Sequence, residues 1–270
     1  MKEKLLNIQN KENQNMYAFI TGASSGIGKE LAILLAKKGY NLILIARREK
    51  RLLHLKKSLE SRYPIKVMVE TCDLSDAKSC ITLHNTYKNY PVTVLINGAG
   101  FGKVGNVSDI PLEYDLSMLH TNITALHILS KLFASTMDHG YILNIASIAA
   151  FQPGPYLATY SATKSYVASF SIALNYEMKR KKKPIHIATL CPGPVDTEFN
   201  QVAGTSFSLP SISAKKCAKI ALHGLFRKKT LIIPSLSIKL NYIGSKLSPL
   251  ALILPLEYKI QTAKLSSKKH

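Results

Sequence analysis

The stretch Met16-Tyr17-Ala18-Phe19-Ile20-Thr21-Gly22-Ala23-Ser24-Ser25-Gly26-Ile27-Gly28 decides the fold. Met16 to Thr21 is an apolar run of strand length, and the residues from Gly26 to Lys38 carry the periodicity of an amphipathic helix. Between them lies a glycine turn, Gly22, Gly26, Ile27 and Gly28, with the spacing G-x-x-x-G-x-G rather than the G-x-G-x-x-G of other dinucleotide folds. Glycines here allow a tight turn and close approach of a pyrophosphate to the backbone, while the helix N-terminus attracts its negative charge. Ser24 and Ser25 offer hydroxyls that serve either as further contacts or as caps of the helix.

Downstream, strand-length apolar runs recur at Asn41 to Ala46, Ile65 to Thr71, Val92 to Asn97, Tyr141 to Ala146, Ile185 to Leu190 and Thr230 to Ile233. Helix-length segments alternate with them: Glu49 to Tyr63, Ser75 to Asn89, Leu112 to Met137, Tyr156 to Arg180 and Ala214 to Phe226. This alternation predicts an α/β fold: one Rossmann-like, doubly wound domain with a seven-stranded parallel sheet and helices on both faces. The expected organisation is a polar tail over 1–14, a catalytic domain over 15–234 and an apolar, basic extension over 235–270. Residues 198–213, with Gly204, Pro210 and several Ser and Thr, read as a mobile loop over a site.

Composition bounds the function. A chain of 270 residues can bury a sizeable core in one domain. Cys72, Cys80, Cys191 and Cys217 are widely spaced with no C-x-x-C pair, against a zinc site or disulfide framework and in keeping with a reducing cytosol; no metal is expected. The N-terminus has no apolar run resembling a signal peptide. The formal charge of +20 is largely scattered lysine, and its densest patch, Lys179 to Lys183, lies where cations favourably oppose a helix dipole. No nucleic-acid motif or interleaved aromatic platform accompanies it, so nucleic acid is not an expected partner.

Two further features carry chemistry. At the end of the second strand, where a binder of an unphosphorylated dinucleotide would offer a carboxylate, the chain has Ala46 followed by Arg47 and Arg48. Guanidinium groups there suit a ribose 2′-phosphate, so NADP(H) is favoured over NAD(H), with Arg47 as the reader and Arg48 equally a solvated charge. Ser147, Tyr160 and Lys164 place a hydroxyl, a phenol and an ammonium group where they can converge on one carbonyl, since Tyr160 and Lys164 share a helix face. Bringing a phenol from about 10 to about 7 needs roughly 4 kcal/mol. A unit charge about 4 Å away at an effective dielectric of about 20 supplies that order of energy. A Tyr-x-x-x-Lys also arises by chance in a chain with 13 Tyr, and Tyr242 with Lys246 is such a pair.

Taken with Cys72-Asp73-Leu74, Asn97-Gly98-Ala99-Gly100, Asn122 and Pro192-Gly193-Pro194-Val195-Asp196-Thr197, these residues resemble the short-chain dehydrogenase/reductase family over roughly Met16 to Ile233. The resemblance implies an NADP(H)-dependent oxidoreductase acting on a carbonyl or alcohol. It places Asp73 and Leu74 near the adenine, Asn97 and Ala99 beside the adenosine ribose, and Pro192, Gly193, Val195 and Thr197 around the nicotinamide. Tyr160 becomes the proton donor, Ser147 the holder of the substrate oxygen, Lys164 the partner of phenol and ribose, and Asn122 the holder of a relay water. Without the family, Asn97 reads equally as a strand-end turn residue, Asn122 as a buried helix polar residue and Pro192-Gly193 as a break after the sixth strand. Gly98 replaces the commoner Asn or Ser and puts a local sheet hydrogen bond in question. A homo-oligomer, dimer or tetramer, is implied by resemblance alone.

The extension after Ser235 is shorter in apolar run than a bilayer span of about 20 residues requires. It can lie on a membrane as a peripheral contact, cover the substrate pocket or form a subunit contact, the last two being favoured. Its apolar character points to an apolar substrate and raises a narrower reading, a lipid-type reductase of ketosteroids, ketosphinganine or 3-ketoacyl groups. A non-catalytic NADP-binding regulator is a further alternative, which the intact Asn122, Ser147, Tyr160 and Lys164 oppose.

Overall fold

The computed structural model describes residue 13, residues 15–204 and residues 211–266. Most of the expected tail, residues 205–210 of the expected loop and the last four residues lie outside this range. Six long strands follow the sequence pattern: β1 (Tyr17–Thr21), β2 (Asn41–Ala46), β3 (Val67–Thr71), β4 (Val92–Asn97), β5 (Gly140–Ile145) and β6 (Ile185–Leu190). A two-residue ribbon, β7 (Val195–Asp196) with β8 (Ile212–Ser213), and a short β9 (Leu231–Ile232) complete the set. The main sheet is parallel throughout, in the order β3-β2-β1-β4-β5-β6-β9.

Alternation along each strand explains the layering. Ala18 and Ile20 of β1 and Leu42 and Leu44 of β2 join one apolar cluster, with Leu31 and Leu35 of helix Gly26–Lys37, Leu52 of Glu49–Glu60 and Leu222 of Ala214–Phe226. Phe19, Ile43 and Ile45 point the other way, to Leu83 of Ala77–Tyr87, Phe133 of Leu126–Thr136 and Met178 of Ala158–Arg180. A sheet buried on both faces needs strands apolar on both sides, which is why β2 is a continuous NLILIA run. Each fully buried Leu, Ile or Phe contributes about 1.5–3 kcal/mol.

Strand order reverses between β1 and β4, and crevices for ligands open at such a switch, at the carboxyl ends of the strands. Asn13, within the expected solvated tail, is buried, and its Nδ2 donates to Lys38 O at 2.9 Å. In the basic cluster, Lys183 Nζ donates to Ala134 O and Ser135 O at 3.2 and 3.0 Å, holding the final carbonyls of a neighbouring helix.

Three features depart from the sequence reading. The single helix expected from Leu112 to Met137 is broken into Leu112–Leu119 and Leu126–Thr136 by a π-helical turn, His120–Ala125, which contains Asn122. The expected loop over 198–213 begins with a short helix, Phe199–Ala203, and ends in β8. The extension forms two helices, Leu236–Leu247 and Leu250–Ser266, the second containing Pro255. Ile253 and Gln261 of the latter are buried while Leu252 and Leu256 stay exposed. Among the described residues no helix is long and apolar enough to cross a membrane.

Candidate active site

The glycine turn is held by close approach of backbone to backbone. Gly22 has φ +69°, and a Cβ there would stand 2.6 Å from Gly98 O. Gly28 lies so near the preceding strand that a Cβ would meet Gly22 O at 2.4 Å. Thr21 Oγ1 accepts from the N–H groups of Gly98 and Ala99 at 3.0 and 3.2 Å, tying the end of β1 to the end of β4. Gly98 is therefore a fitted residue, since a Cβ would fall 2.8 Å from Thr21 O, and a threonine hydroxyl supplies a bond that its missing side chain does not.

Above this turn opens a cavity of about 560 Å³. Its walls include Gly22, Ser24, Ser25, Gly26, Ile27 and Gly28 of the turn, then Arg47, Asp73, Leu74 and Ala99. Ser147, Tyr160, Lys164, Pro192, Gly193, Val195 and Thr197 line the same space. Of the residues singled out from sequence, only Asn97 and Asn122 stand behind the wall. Asn97 Nδ2 donates to Asn144 Oδ1 at 2.8 Å and Ser130 Oγ at 3.0 Å, in a buried network under the strand ends. Asn122 Oδ1 accepts from Phe101 N at 3.0 Å, while Nδ2 donates to Phe101 O at 2.9 Å and Thr163 Oγ1 at 3.1 Å. Both amide N–H groups are thus spent on fixing the loop after β4 to the helix of Tyr160.

Ser25 occupies the helix N-cap position without a side-chain capping bond, so its hydroxyl and that of Ser24 are used elsewhere. Arg48, open from sequence between a phosphate contact and a solvated charge, reaches them: Nη2 donates to Ser25 Oγ at 2.7 Å and to Ser24 Oγ at 2.9 Å. Its Nη1 reaches Glu198 Oε2 at 2.6 Å. Arg47 acts at a distance on Asp73, whose carboxylate is held below its usual range chiefly by the backbone N–H of Ser75 and also by this guanidinium. Thr197 Oγ1 accepts from Phe199 N at 3.3 Å, and its methyl lies close over Gly26.

Tyr160 and Lys164 sit on one face of Ala158–Arg180, both deeply buried. Lys164 Nζ donates to Ile145 O at 2.9 Å and stands 5.6 Å from the Tyr160 ring centroid. Burial lowers the Lys164 ammonium to about 8. Burial also pushes the Tyr160 phenol up to about 12, and the neighbouring Ser147 hydroxyl offsets part of this. Against the lowering expected from Lys164 stands desolvation of the phenolate, which favours the protonated phenol. A phenol that keeps its proton is suited to giving it to a strongly basic oxygen, so the arrangement is poised as an acid. Tyr242, of the chance pair, is half-buried and packs on Phe151 with ring centroids 4.2 Å apart.

Sequence reasoning gave the far wall only as whole segments, residues 198–213 and the extension, and did not single out Glu198, Phe199, Ile238 or Glu257 in them. Phe199 rests on Tyr160, ring centroids 5.4 Å apart. From the extension, Ile238 abuts Gly193, and Glu257, Ile260 and Gln261 line the cavity, with Glu257 hydrogen-bonded to Gln152. No local motif marks these residues, which reach the site only through packing of the C-terminal helices.

One half of the cavity, with its helix N-terminus, left-handed glycines and arginines, has the groups and room that a dinucleotide requires; the other half ends on a buried phenol. That combination defines a nicotinamide-dinucleotide protein of the α/β class. The family model for short chain dehydrogenases matches residues 16–207, and the chain belongs to that family.

Relatives and solved structures agree. The very-long-chain 3-oxoacyl-CoA reductase of Kluyveromyces lactis is 36% identical over 220 residues, covering 75% of this chain and 62% of the relative. The chain thus spans less than two thirds of that curated relative. A short-chain dehydrogenase from Sphingobium yanoikuyae, solved with NADPH, is 28% identical with a TM-score of 0.78, covering 85% of this chain and 92% of that one. The bulky-bulky ketone specific alcohol dehydrogenase of Comamonas testosteroni is 28% identical with a TM-score of 0.74, covering 85% and 91%.

Proposed function

We propose that this chain is an NADPH-dependent carbonyl reductase whose substrate is a ketone with a long apolar tail, of the 3-oxoacyl thioester type. The observation that carries the reading is the meeting, in one cavity, of the glycine turn with Ser147 and the buried Tyr160 phenol. The bound nicotinamide supplies the hydride. Ser147 holds and polarises the carbonyl oxygen, and Tyr160 delivers its proton to that oxygen as charge develops on it. Lys164, in reach of the loop after β4 and of the phenol, supplies positive charge there; Asn122 fixes Phe101 and the Tyr160 helix in place.

Choice of phosphorylated cofactor is supported by Arg47 and Arg48 at the end of β2, with no carboxylate between them and the strand. The apolar tail is supported by Phe101, Val104, Phe199, Val202, Ile238 and Ile260 around the far end of the cavity, and by the name of the Kluyveromyces lactis relative. The test is to follow NADPH and NADH oxidation with 3-oxoacyl thioesters of increasing chain length, ketosteroids and short aldehydes. Turnover with NADPH should rise with chain length, and Tyr160→Phe should lower it about 10²–10⁴-fold while leaving NADPH affinity unchanged. Equal efficiency with NADH, or full activity in Tyr160→Phe, defeats the reading.

A further inference from the structure

Glu198 follows Thr197 at the lip of the cavity and reaches across to the start of helix Glu49–Glu60. Its Oε2 accepts from Arg48 Nη1 at 2.6 Å, and its Oε1 accepts from Arg51 Nη1. The two arginines hold the carboxyl below its usual range. Arg48 meanwhile spends three further N–H groups on the hydroxyls of the glycine turn: Nε on Ser24 Oγ at 3.2 Å, Nη2 on Ser24 and Ser25 Oγ. Arg48, Ser24, Ser25 and Glu198 all line the cavity. A guanidinium flanked by two hydroxyls is a set of donors suited to a phosphate monoester. In this structure part of that set is taken by an anion of the chain itself.

The carboxylate is a weak occupant by physical measure. Arg48, Arg51 and Glu198 side chains are 42%, 49% and 39% exposed, so solvent screens both bridges and each is of small worth. A phosphate monoester brings close to twice the charge and three acceptor oxygens. Glu198 also opens the segment that carries Phe199 onto Tyr160, so whatever takes its place frees the lip from the β2 side.

We propose that Glu198 is a built-in competitor for the phosphate site: it holds Arg48 and Arg51 until the 2′-phosphate of the cofactor takes Arg48 from it. The inference rests on the NADPH reading above. Glu198 is then a specificity-determining residue outside the catalytic set. It sets the affinity for phosphorylated cofactor and leaves that for the unphosphorylated one alone, because only the former exchanges with it.

The test is calorimetric binding of adenosine 2′,5′-bisphosphate and of AMP to the full chain, without turnover. The wild type should prefer the bisphosphate. Glu198→Gln should tighten the bisphosphate about threefold to tenfold and leave AMP unchanged. Asp196→Asn, which removes the same charge two residues away, should not alter the ratio, and thermal melts confirm that both variants fold. Weaker or unchanged bisphosphate binding in Glu198→Gln, or an equal gain in Asp196→Asn, overturns the competitor role while the NADPH reading stands. No preference for the bisphosphate in the wild type defeats the NADPH reading itself, and the competitor role with it.

Discussion

At the cofactor end of the cavity the chain approaches itself at backbone distance, Gly22 against Gly98 and Gly28 against Gly22, just beyond the ends of the buried strands β1 and β4. At the substrate end the walls are side chains, Phe199 on Tyr160 and Ile238 on Gly193, carried by short or exposed helices. The first end has one geometry because any added atom collides with main chain. The second can change its residues at small cost, because what they meet are movable side chains. This is the division of labour expected where one cofactor is kept and substrates vary.

Substitution at Gly28 attacks the rigid end and carries the largest effect on the fold. The Cβ of Gly28→Ala would enter Gly22 O from 2.4 Å, with backbone on both sides and no side chain to yield. A loss of roughly 1–3 kcal/mol or more is expected, lowering Tm by on the order of 5–10 °C. Dinucleotide binding should fall with it. A thermal melt within a degree of wild type would remove the basis of the contrast.

Lys164 joins the two ends and gives a pH signature. Its ammonium is lowered to about 8 from 10.5, so between these values the unfolded chain holds more protons than the folded one and stability rises with pH. Above about 10 the Tyr160 phenol, raised to about 12, opposes this, since the folded chain then keeps the proton that the unfolded chain loses. Three buried thiols, Cys80, Cys191 and Cys217, pushed up to about 12, pull the other way in wild type and variant alike, so the melting temperature of the wild type should rise relative to that of Lys164→Met between pH 8 and 10. The kcat/KM for reduction should fall as pH rises through about 8, as Lys164 loses its charge; a profile level to pH 10 would detach this charge from the reaction.

The smallest effect belongs to the yielding end. Ile238→Ala should raise KM for the longest substrates about tenfold, leave that for short ones near wild type and move Tm by only a few degrees. Equal losses at every chain length would place Ile238 in the fold instead of the pocket.

Most of the fold was legible from sequence because strands buried on both faces must be apolar throughout and their helices must not; β2 agrees with its expected bounds residue for residue. The π-turn at His120–Ala125 was not legible. An extra residue in a helical turn leaves the apolar periodicity on either side intact, and only the bonds of Asn122 to Phe101 and Thr163 show why it is there. At the site, the glycine turn, Ser147, Tyr160 and Lys164 were found because their chemistry constrains local spacing. The pKa of the phenol was not, since a spacing gives the neighbour but not the depth of burial.

The sequence by itself determined the order of elements, the glycine turn between β1 and its helix and the spacing of Ser147, Tyr160 and Lys164, because each depends on residues close in the chain. Tertiary structure alone decided that Arg48 and Arg51 meet Glu198 across some 150 residues, and that Glu257 meets Gln152 across 105. It also decided that the extension walls the substrate end. Such contacts leave no periodic trace: they arise where separate elements, each folded for its own reasons, bring charged and apolar side chains to the same lip of one cavity.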